Sequence, residues 1–310
     1  MTRPGFLFPG QLSESVGMGR DFFDADPEVR RLFAWTSERC GRNLEKLVFS
    51  GPPESLGENL AAQASVYLVS TVACRLLARE GLTPPATAGY SLGNYAALVA
   101  AGAISYEEGL DVLIAVWRES ERLQIRGAMA AVIGCRRDLA DSVLEDLRSA
   151  GQAVWIGNVN AATQFVLTGR SEGVAAAVEA LAPKSLNVLP LGMTWPIHSE
   201  LMRPVSELVA PVVAACGSIR DPAVPYYGPD GRVRRTAAEV RELLATEFIY
   251  PTMWNATFEA MIADGYRVFL EVGPGTMLSK MARWIDRNAV CHPAGTVDAI
   301  RAAADILRTT

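Results

Sequence analysis

Residues 86–95 read Ala86-Thr87-Ala88-Gly89-Tyr90-Ser91-Leu92-Gly93-Asn94-Tyr95. The small residues at the start suit a brief buried strand, and helical texture resumes at Leu92 and runs through Ala101. Strand and helix are joined by a sharp turn. Glycines flank Ser91 because a Cβ on either side would clash across that turn. The turn lifts the Ser91 hydroxyl out of the strand end, and the first N–H groups of the helix, at the positive end of its dipole, point to the same place. G-x-S-x-G in a strand–turn–helix setting predicts an α/β architecture with a serine nucleophile. The plainer alternative is a glycine-rich turn whose serine only caps the helix.

A serine nucleophile needs a base, and the chain has two histidines. His198 stands in Trp195-Pro196-Ile197-His198-Ser199, where Pro196 fixes the backbone just ahead of it, while His292 lies in Cys291-His292-Pro293 without such a setting. His198 is therefore the expected partner of Ser91.

Outward from the elbow, an apolar strand over 4–9 ends at Pro9-Gly10, and residues 26–47 and 58–81 read as helices. Pro84-Pro85 breaks the second, and a further helix runs from Tyr106 to about Ile125. From Gly127 the order becomes strand (128–133), helix (138–150), strand (153–157), strand (165–169), helix (172–182), strand (185–191). This β-α-β-β-α-β order is the split βαβ pattern of a ferredoxin-like unit. Helix over 253–264, strand over 268–271 and helix over 276–287 resume the outer alternation. The expectation is an α/β fold: a large subdomain over 1–126 and 196–310, with a small ferredoxin-like subdomain over 127–195.

With 310 residues the chain can bury a large core without a disulfide or metal staple. An apolar fraction of 50% and a charged fraction of 20% exclude disorder and coiled coil. The net charge of −5 argues against coating nucleic acid. The five cysteines are scattered and odd in number, which reads as reduced thiols, not a disulfide framework or zinc site. No signal-peptide pattern follows Met1, and no stretch reaches 18 uninterrupted apolar residues, so a cytoplasmic protein outside the membrane is expected.

At these motifs the chain resembles the malonyl-CoA:acyl-carrier-protein transacylase family and the related acyltransferase domains of polyketide synthases. Phe8-Pro9-Gly10-Gln11 looks like the family's FPGQG, Gly89–Gly93 like its GHSxG, and Asn158-Val159-Asn160 through Gln164 like its NxNxxxQ. Pro196-Ile197-His198-Ser199 looks like the segment with its catalytic histidine, and Glu271-Val272-Gly273-Pro274-Gly275 like its EVGPG turn. The resemblance covers nearly the whole chain. It implies an α/β-hydrolase-like large subdomain with a ferredoxin-like insertion, and ping-pong acyl transfer through an acyl-serine on Ser91. His198 would act as base, oriented by backbone carbonyls with one from the Tyr250-Pro251 segment. Gln11 and the N–H of Leu92 would form the oxyanion hole. Acyl carrier protein, through its phosphopantetheine arm, and CoA would be donor and acceptor, with no bound cofactor or metal. The setting would be polyketide or antibiotic biosynthesis, with the protein acting as a monomer.

Four departures bear on this. Tyr90 replaces the histidine beside the serine, Leu12 replaces a glycine, and Met253 stands where a polar residue is common. Malonyl-type members hold the free carboxylate with an arginine 25 residues past the serine, and the ungapped count here gives Val116. Arg118 lies two positions on, turned by about 200° on a helix. A buried carboxylate without its cation is costly, so the acyl group is expected not to be malonyl. Tyr90, Val116, Trp117, Asn160, Trp195 and Tyr250 are the expected pocket. A two-residue alignment slip would restore Arg118 and with it a conventional malonyl transacylase. An acyl-carrier-protein thioester hydrolase would use the same Ser91 and His198 with water as acceptor. A non-enzymatic carrier-binding scaffold would need neither, and the presence of Ser91, His198 and Gln11 together argues against it. For the acidic carrier, Lys280, Arg283 and Arg287 are expected to share one helix face as a docking patch, with Arg232, Arg234 and Arg235 as a second cluster.

Overall fold

A computed structural model describes residues 3–309; Met1, Thr2 and Thr310, and with them the start of the N-terminal reading, lie outside the described residues. Ten strands are present among the described residues: β1 Gly5–Phe8, β2 Thr87–Gly89, β3 Ala128–Ile133, β4 Val154–Ala161, β5 Gln164–Gly169, β6 Asn187–Leu191, β7 Tyr226–Tyr227, β8 Val233–Arg234, β9 Val268–Glu271 and β10 Val290–Pro293. They form a six-stranded sheet of order β10-β9-β1-β2-β7-β8 and a four-stranded sheet of order β4-β5-β3-β6. In the larger sheet only the β7–β8 pairing is antiparallel. β1 is apolar along its whole length and fully buried because helices cover both faces of its sheet.

The smaller sheet is antiparallel throughout, and its order is that of a split βαβ unit. It has its own core, in which Val132, Phe165 and Leu167 pack against Ala140 and Leu144 of the helix Arg137–Ser149 and Val174 and Ala177 of the helix Ser171–Leu181. The segment after the helix Ala237–Thr246 meets the small sheet at Thr252: Thr252 N–H donates to Gly157 O (2.8 Å) and Val159 N–H to Thr252 O (2.8 Å).

Several elements depart from the sequence reading. The helix expected over 26–47 is two helices, Pro27–Cys40 and Leu44–Ser50. Gly41 ends the first in a left-handed conformation, and the Asn43 side chain caps the second by accepting from Lys46 N–H at 2.9 Å. β7 and β8, two residues each, are too short to show a period of two, and β10 mixes Val290 and Cys291 with His292 and Pro293. The last helix of the docking patch is Met277–Ile285 and ends at an extended Asp286. Arg287 therefore lies past the helix and does not share a face with Lys280 and Arg283. The helix Asn59–Arg79 is long and apolar enough to cross a membrane, but 83% of its apolar window is buried inside the protein. All five cysteines are free thiols.

Candidate active site

The loop after β1 and the turn after β2 are held tightly together. Tyr90 N–H donates to Phe8 O at 2.9 Å, and Gly93 N–H closes the turn on Tyr90 O at 2.9 Å. A Cβ at Gly93 would fall 2.0 Å from Phe8 O, and one at Gly89 would fall 2.2 Å from Asn94 N. Neither position accepts any other residue without moving the backbone. Ser91 is driven into the left-handed region, φ 52°, a strain that turn geometry imposes and surrounding packing sustains. The helix Gly93–Ala100 starts directly behind it, with Leu92 at its N-cap.

His198 reaches the same point from the other side. Its Nε2 lies 2.8 Å from Ser91 Oγ. Its Nδ1 lies 2.9 Å from Tyr250 O and 3.1 Å from Glu247 O. Carbonyls only accept, so the ring proton sits on Nδ1 and Nε2 presents a lone pair to the serine. Tyr250 thus supplies a carbonyl to the site, as the resemblance implied, with its side chain half exposed and outside the pocket. The histidine backbone is also left-handed, φ 64°, and is fixed by His198 N–H to Phe248 O at 2.7 Å and by Thr168 Oγ1 donating to Ile197 O at 2.7 Å. Gly157 makes room for it: a Cβ there would sit 3.3 Å from His198 Cβ. Burial pushes the imidazole down to about 4 against the weaker upward pull of the two carbonyls, so it is neutral at neutral pH and its Nε2 lone pair is free to accept a proton. Ser91 Oγ and His198 Nε2 thus stand at the distance and in the protonation states that nucleophile–base chemistry requires.

The pair opens into a cavity of about 480 Å³. Gln11, Asn158, Asn160 and Gln164 supply much of its polar lining, and Met129, Val166, Leu191, Met193 and Met281 much of its apolar lining, with Tyr90 beside them. Tyr90 does not offer its hydroxyl to the cavity. It donates to Asn160 Oδ1 at 3.0 Å, and its ring meets Trp254 edge to face. Leu12, at the rim, takes φ 73°, a conformation a glycine enters at no cost. The Gln11 amide is engaged by Asn59 (3.3 Å) and Gln63 (3.3 Å).

Besides Tyr250, three other expected pocket residues are not there. Val116 is buried in the main core, because the helix Tyr106–Arg122 turns that face inward toward its neighbours. Trp117 faces a separate groove beside Arg42 and Glu121. Trp195 is fully buried and donates its ring N–H to Glu121 Oε1 at 3.2 Å. Arg118 is outside as well: its side chain is 60% exposed and pairs with Glu119. Among the described residues lining the cavity, Lys280 alone carries a charge, since His198 is neutral. Lys280 is an exposed residue at the rim, next to Trp284, and Arg283 is exposed on the same helix. Arg232 and Arg234 are both committed to Asp230, at 2.6 and 2.9 Å, so the second basic cluster is largely neutralised. Glu271 of the EVGPG turn is wholly buried and caps that rim helix, accepting from Leu278 N–H (2.9 Å), Ser279 N–H (2.8 Å) and Ser279 Oγ (2.6 Å). His292 lies on β10 opposite Leu270, away from the cavity.

The reading of residues alone passed over Asn94, Glu247 and Thr252. Thr252 bridges to β4 through its backbone and holds its hydroxyl 3.4 Å from His198 Nε2. Glu247 was the detectable one, an acidic residue beside Phe248-Ile249 in the segment expected to orient the histidine.

The family profile described as acyl transferase domain matches residues 5–292. The malonyl CoA-acyl carrier protein transacylase of Bacillus subtilis (strain 168) is 32% identical over 99% of this chain and 98% of its own length. The Escherichia coli (strain K12) protein of the same name is 30% identical over 99% of this chain and 100% of its own. The crystal structure of malonyl-CoA:acyl carrier protein transacylase from Xanthomonas oryzae pv. oryzae superposes with a TM-score of 0.92 at 30% identity, covering 99% of each chain. A malonyl-transacylase solved in complex with a type II PKS acyl-carrier protein gives a TM-score of 0.92 at 28% identity, covering 98% of this chain and 100% of its own. A profile spanning most of the chain, relatives matched end to end and a buried Ser91–His198 pair lead to one conclusion: this chain is an acyltransferase and belongs to the acyl transferase domain family.

Proposed function

We propose that this chain moves an acyl group from a CoA or acyl-carrier-protein thioester to an acyl carrier protein, in the cytoplasm, by a ping-pong mechanism through an ester on Ser91. The 2.8 Å contact of Ser91 Oγ with an unprotonated His198 Nε2 carries the reading. Ser91 Oγ attacks the thioester carbonyl as its proton passes to Nε2. The tetrahedral oxyanion is met by the main-chain N–H groups of Leu92 and Gln11. The imidazolium then gives the proton to the departing thiolate, and an acyl-serine remains. The phosphopantetheine thiol of a carrier enters, loses its proton to Nε2 and takes the acyl group, and the imidazolium returns that proton to Ser91 Oγ as it leaves. Lys280 at the cavity rim and Arg283, exposed on the same helix, suit an acidic carrier, and the arm itself needs no further cofactor.

The likeness to malonyl transacylases supports malonyl as the acyl group, and conventional malonyl transfer is the reading the comparisons favour. A neutral acyl group, in polyketide or related biosynthesis, is the second reading. The cavity lining favours it: no arginine is among the described residues that line the cavity, the expected position holds buried Val116, and Lys280 lies at the exposed rim. A carboxylate buried without a paired cation would cost several kcal/mol, on the order of a lost buried ion-pair partner.

Incubation with malonyl-CoA and with butyryl-CoA, read as the Ser91 adduct by intact mass, separates the two. Faster malonyl loading upholds the conventional transacylase, and faster butyryl loading upholds the neutral reading. An adduct that passes to holo-acyl carrier protein supports transfer. Release of free acid in its place makes the protein a hydrolase, and an adduct that survives Ser91→Ala refutes the mechanism.

A further inference from the structure

The His198 ring is oriented by carbonyls of a short segment that follows the helix Ala237–Thr246, and an irregular segment holds a carbonyl in place only if it is tethered. One tether is unusual. Glu247, whose carbonyl accepts from His198 Nδ1, turns its carboxyl the other way, into the protein, where the residue is 7% exposed. There Oε2 accepts from Asn94 Nδ2 at 2.7 Å. Asn94 is the third residue after the nucleophile, wholly buried, and its own N–H bonds Ser91 O at 2.9 Å. The orientation of its amide is settled by Tyr226, whose hydroxyl donates to Asn94 Oδ1 at 2.7 Å. Tyr95, the next residue on the helix, adds its phenol to the same carboxyl. The chain of contacts therefore runs from Ser91 through Asn94 and Glu247 to His198, behind the reacting atoms and out of the cavity.

We propose that Asn94 and Glu247 are positioning residues, a buried clamp that locks the carbonyl acceptor of His198 to the helix carrying Ser91. The family's chemistry leaves the histidine without an acidic third member. Here a carboxyl is present at that residue, but it acts through its own backbone: the side chain sets where the carbonyl stands, and the carbonyl sets the ring. The serine turn and the histidine arrive from chain segments more than a hundred residues apart in sequence, so a direct link between their supports is what keeps the 2.8 Å contact in register. A displacement of about 1 Å at such a pair costs on the order of a hundredfold in rate.

The inference rests on the Ser91–His198 mechanism but not on the identity of the acyl group, so its test uses a fluorophosphonate. This reagent phosphonylates an activated serine and has no acyl specificity. Intact mass gives the rate of labelling, and the final amplitude counts correctly folded sites. Ser91→Ala must abolish labelling; persistence there would overturn the mechanism itself and not the clamp alone. Asn94→Ala and Glu247→Ala are each expected to label about tenfold to a hundredfold more slowly at full amplitude. The double alanine variant should be no slower than the slower single, because both remove one link. In acyl transfer the loss should fall on kcat with KM unchanged. Glu247→Gln, which still accepts from Asn94, should stay within about threefold of the parent. If the alanine variants do not fold, the exchanged pair Asn94→Asp with Glu247→Gln decides, since it reverses donor and acceptor across the same contact. It should label within about threefold of the parent, and faster than Asn94→Asp alone at pH 8.5. Folded alanine variants that label at the parent rate, or an exchanged pair no faster than Asn94→Asp alone, would overturn the proposal.

Discussion

Glu247→Gln should stabilise the protein at alkaline pH while doing little at pH 5. Burial raises the Glu247 carboxyl from 4.5 to about 7, only partly offset by Asn94 and Tyr95. The fold therefore prefers the protonated acid. Below 4.5 both folded and unfolded chains are protonated and no penalty exists. As pH rises through 4.5 the unfolded chain ionises first, and the penalty on the fold grows until about 7, where it is complete. A gap of about 2.5 pH units at 1.36 kcal/mol each gives roughly 3 kcal/mol. His198 runs the opposite way. Burial lowers it from 6.5 to about 4, so its cost is absent above 6.5, grows as pH falls and is complete below 4. The two nearly cancel in the parent between 4.5 and 6.5, so their summed contribution to stability is almost flat there. Glutamine removes only the Glu247 part. Urea unfolding at pH 5.0 and 8.5 measures it: the stability gain over the parent should be larger at pH 8.5 by about 2–3 kcal/mol. A gain or loss equal at the two pH values would refute the reasoning, because it would mean that Glu247 is not held protonated by burial.

The rate of Ser91 acylation should be flat from about pH 8 to 5 and fall with a midpoint near 4 as His198 takes up a proton and can no longer accept one from Ser91; a midpoint near 6.5 in a stopped-flow pH profile would contradict the burial argument. Gly93→Ala should destabilise the fold by about 1–3 kcal/mol or more, since its methyl would lie 2.0 Å from Phe8 O; an unshifted urea midpoint would show that the elbow yields. Lys280→Glu with Arg283→Glu should raise the carrier-protein KM by about tenfold at low salt and less at high salt, and a KM that does not move would place carrier docking elsewhere.

The sequence carried much of the site because its signals are local. A serine elbow needs Gly89 and Gly93 within two residues of Ser91, and the close contacts at both glycines show why no other residue serves. The split βαβ order of the small sheet was legible for a similar reason, since each strand is long enough to show its texture. β7 and β8, with two residues each, carry no period to read. The expected pocket failed at Val116, Trp117 and Trp195 for a different reason. Spacing along a helix tells which residues share a face, but not which neighbour covers that face. The Tyr106–Arg122 helix turns Val116 into the core and Trp117 to a separate groove.

What the sequence determined by itself was chemistry bound to short-range backbone geometry: a serine in a strained turn, one histidine placed behind a proline, glycines where the chain must pass close to itself. The tertiary structure alone decided what those groups meet. It brought His198 to Ser91 across 107 positions, set two carbonyls on Nδ1, and buried the imidazole until it became neutral. It also turned Glu247 away from the histidine it supports and toward Asn94. Long-range contacts of this kind follow from how sheets and helices pack, and packing depends on shape complementarity over the whole core, which no local pattern records.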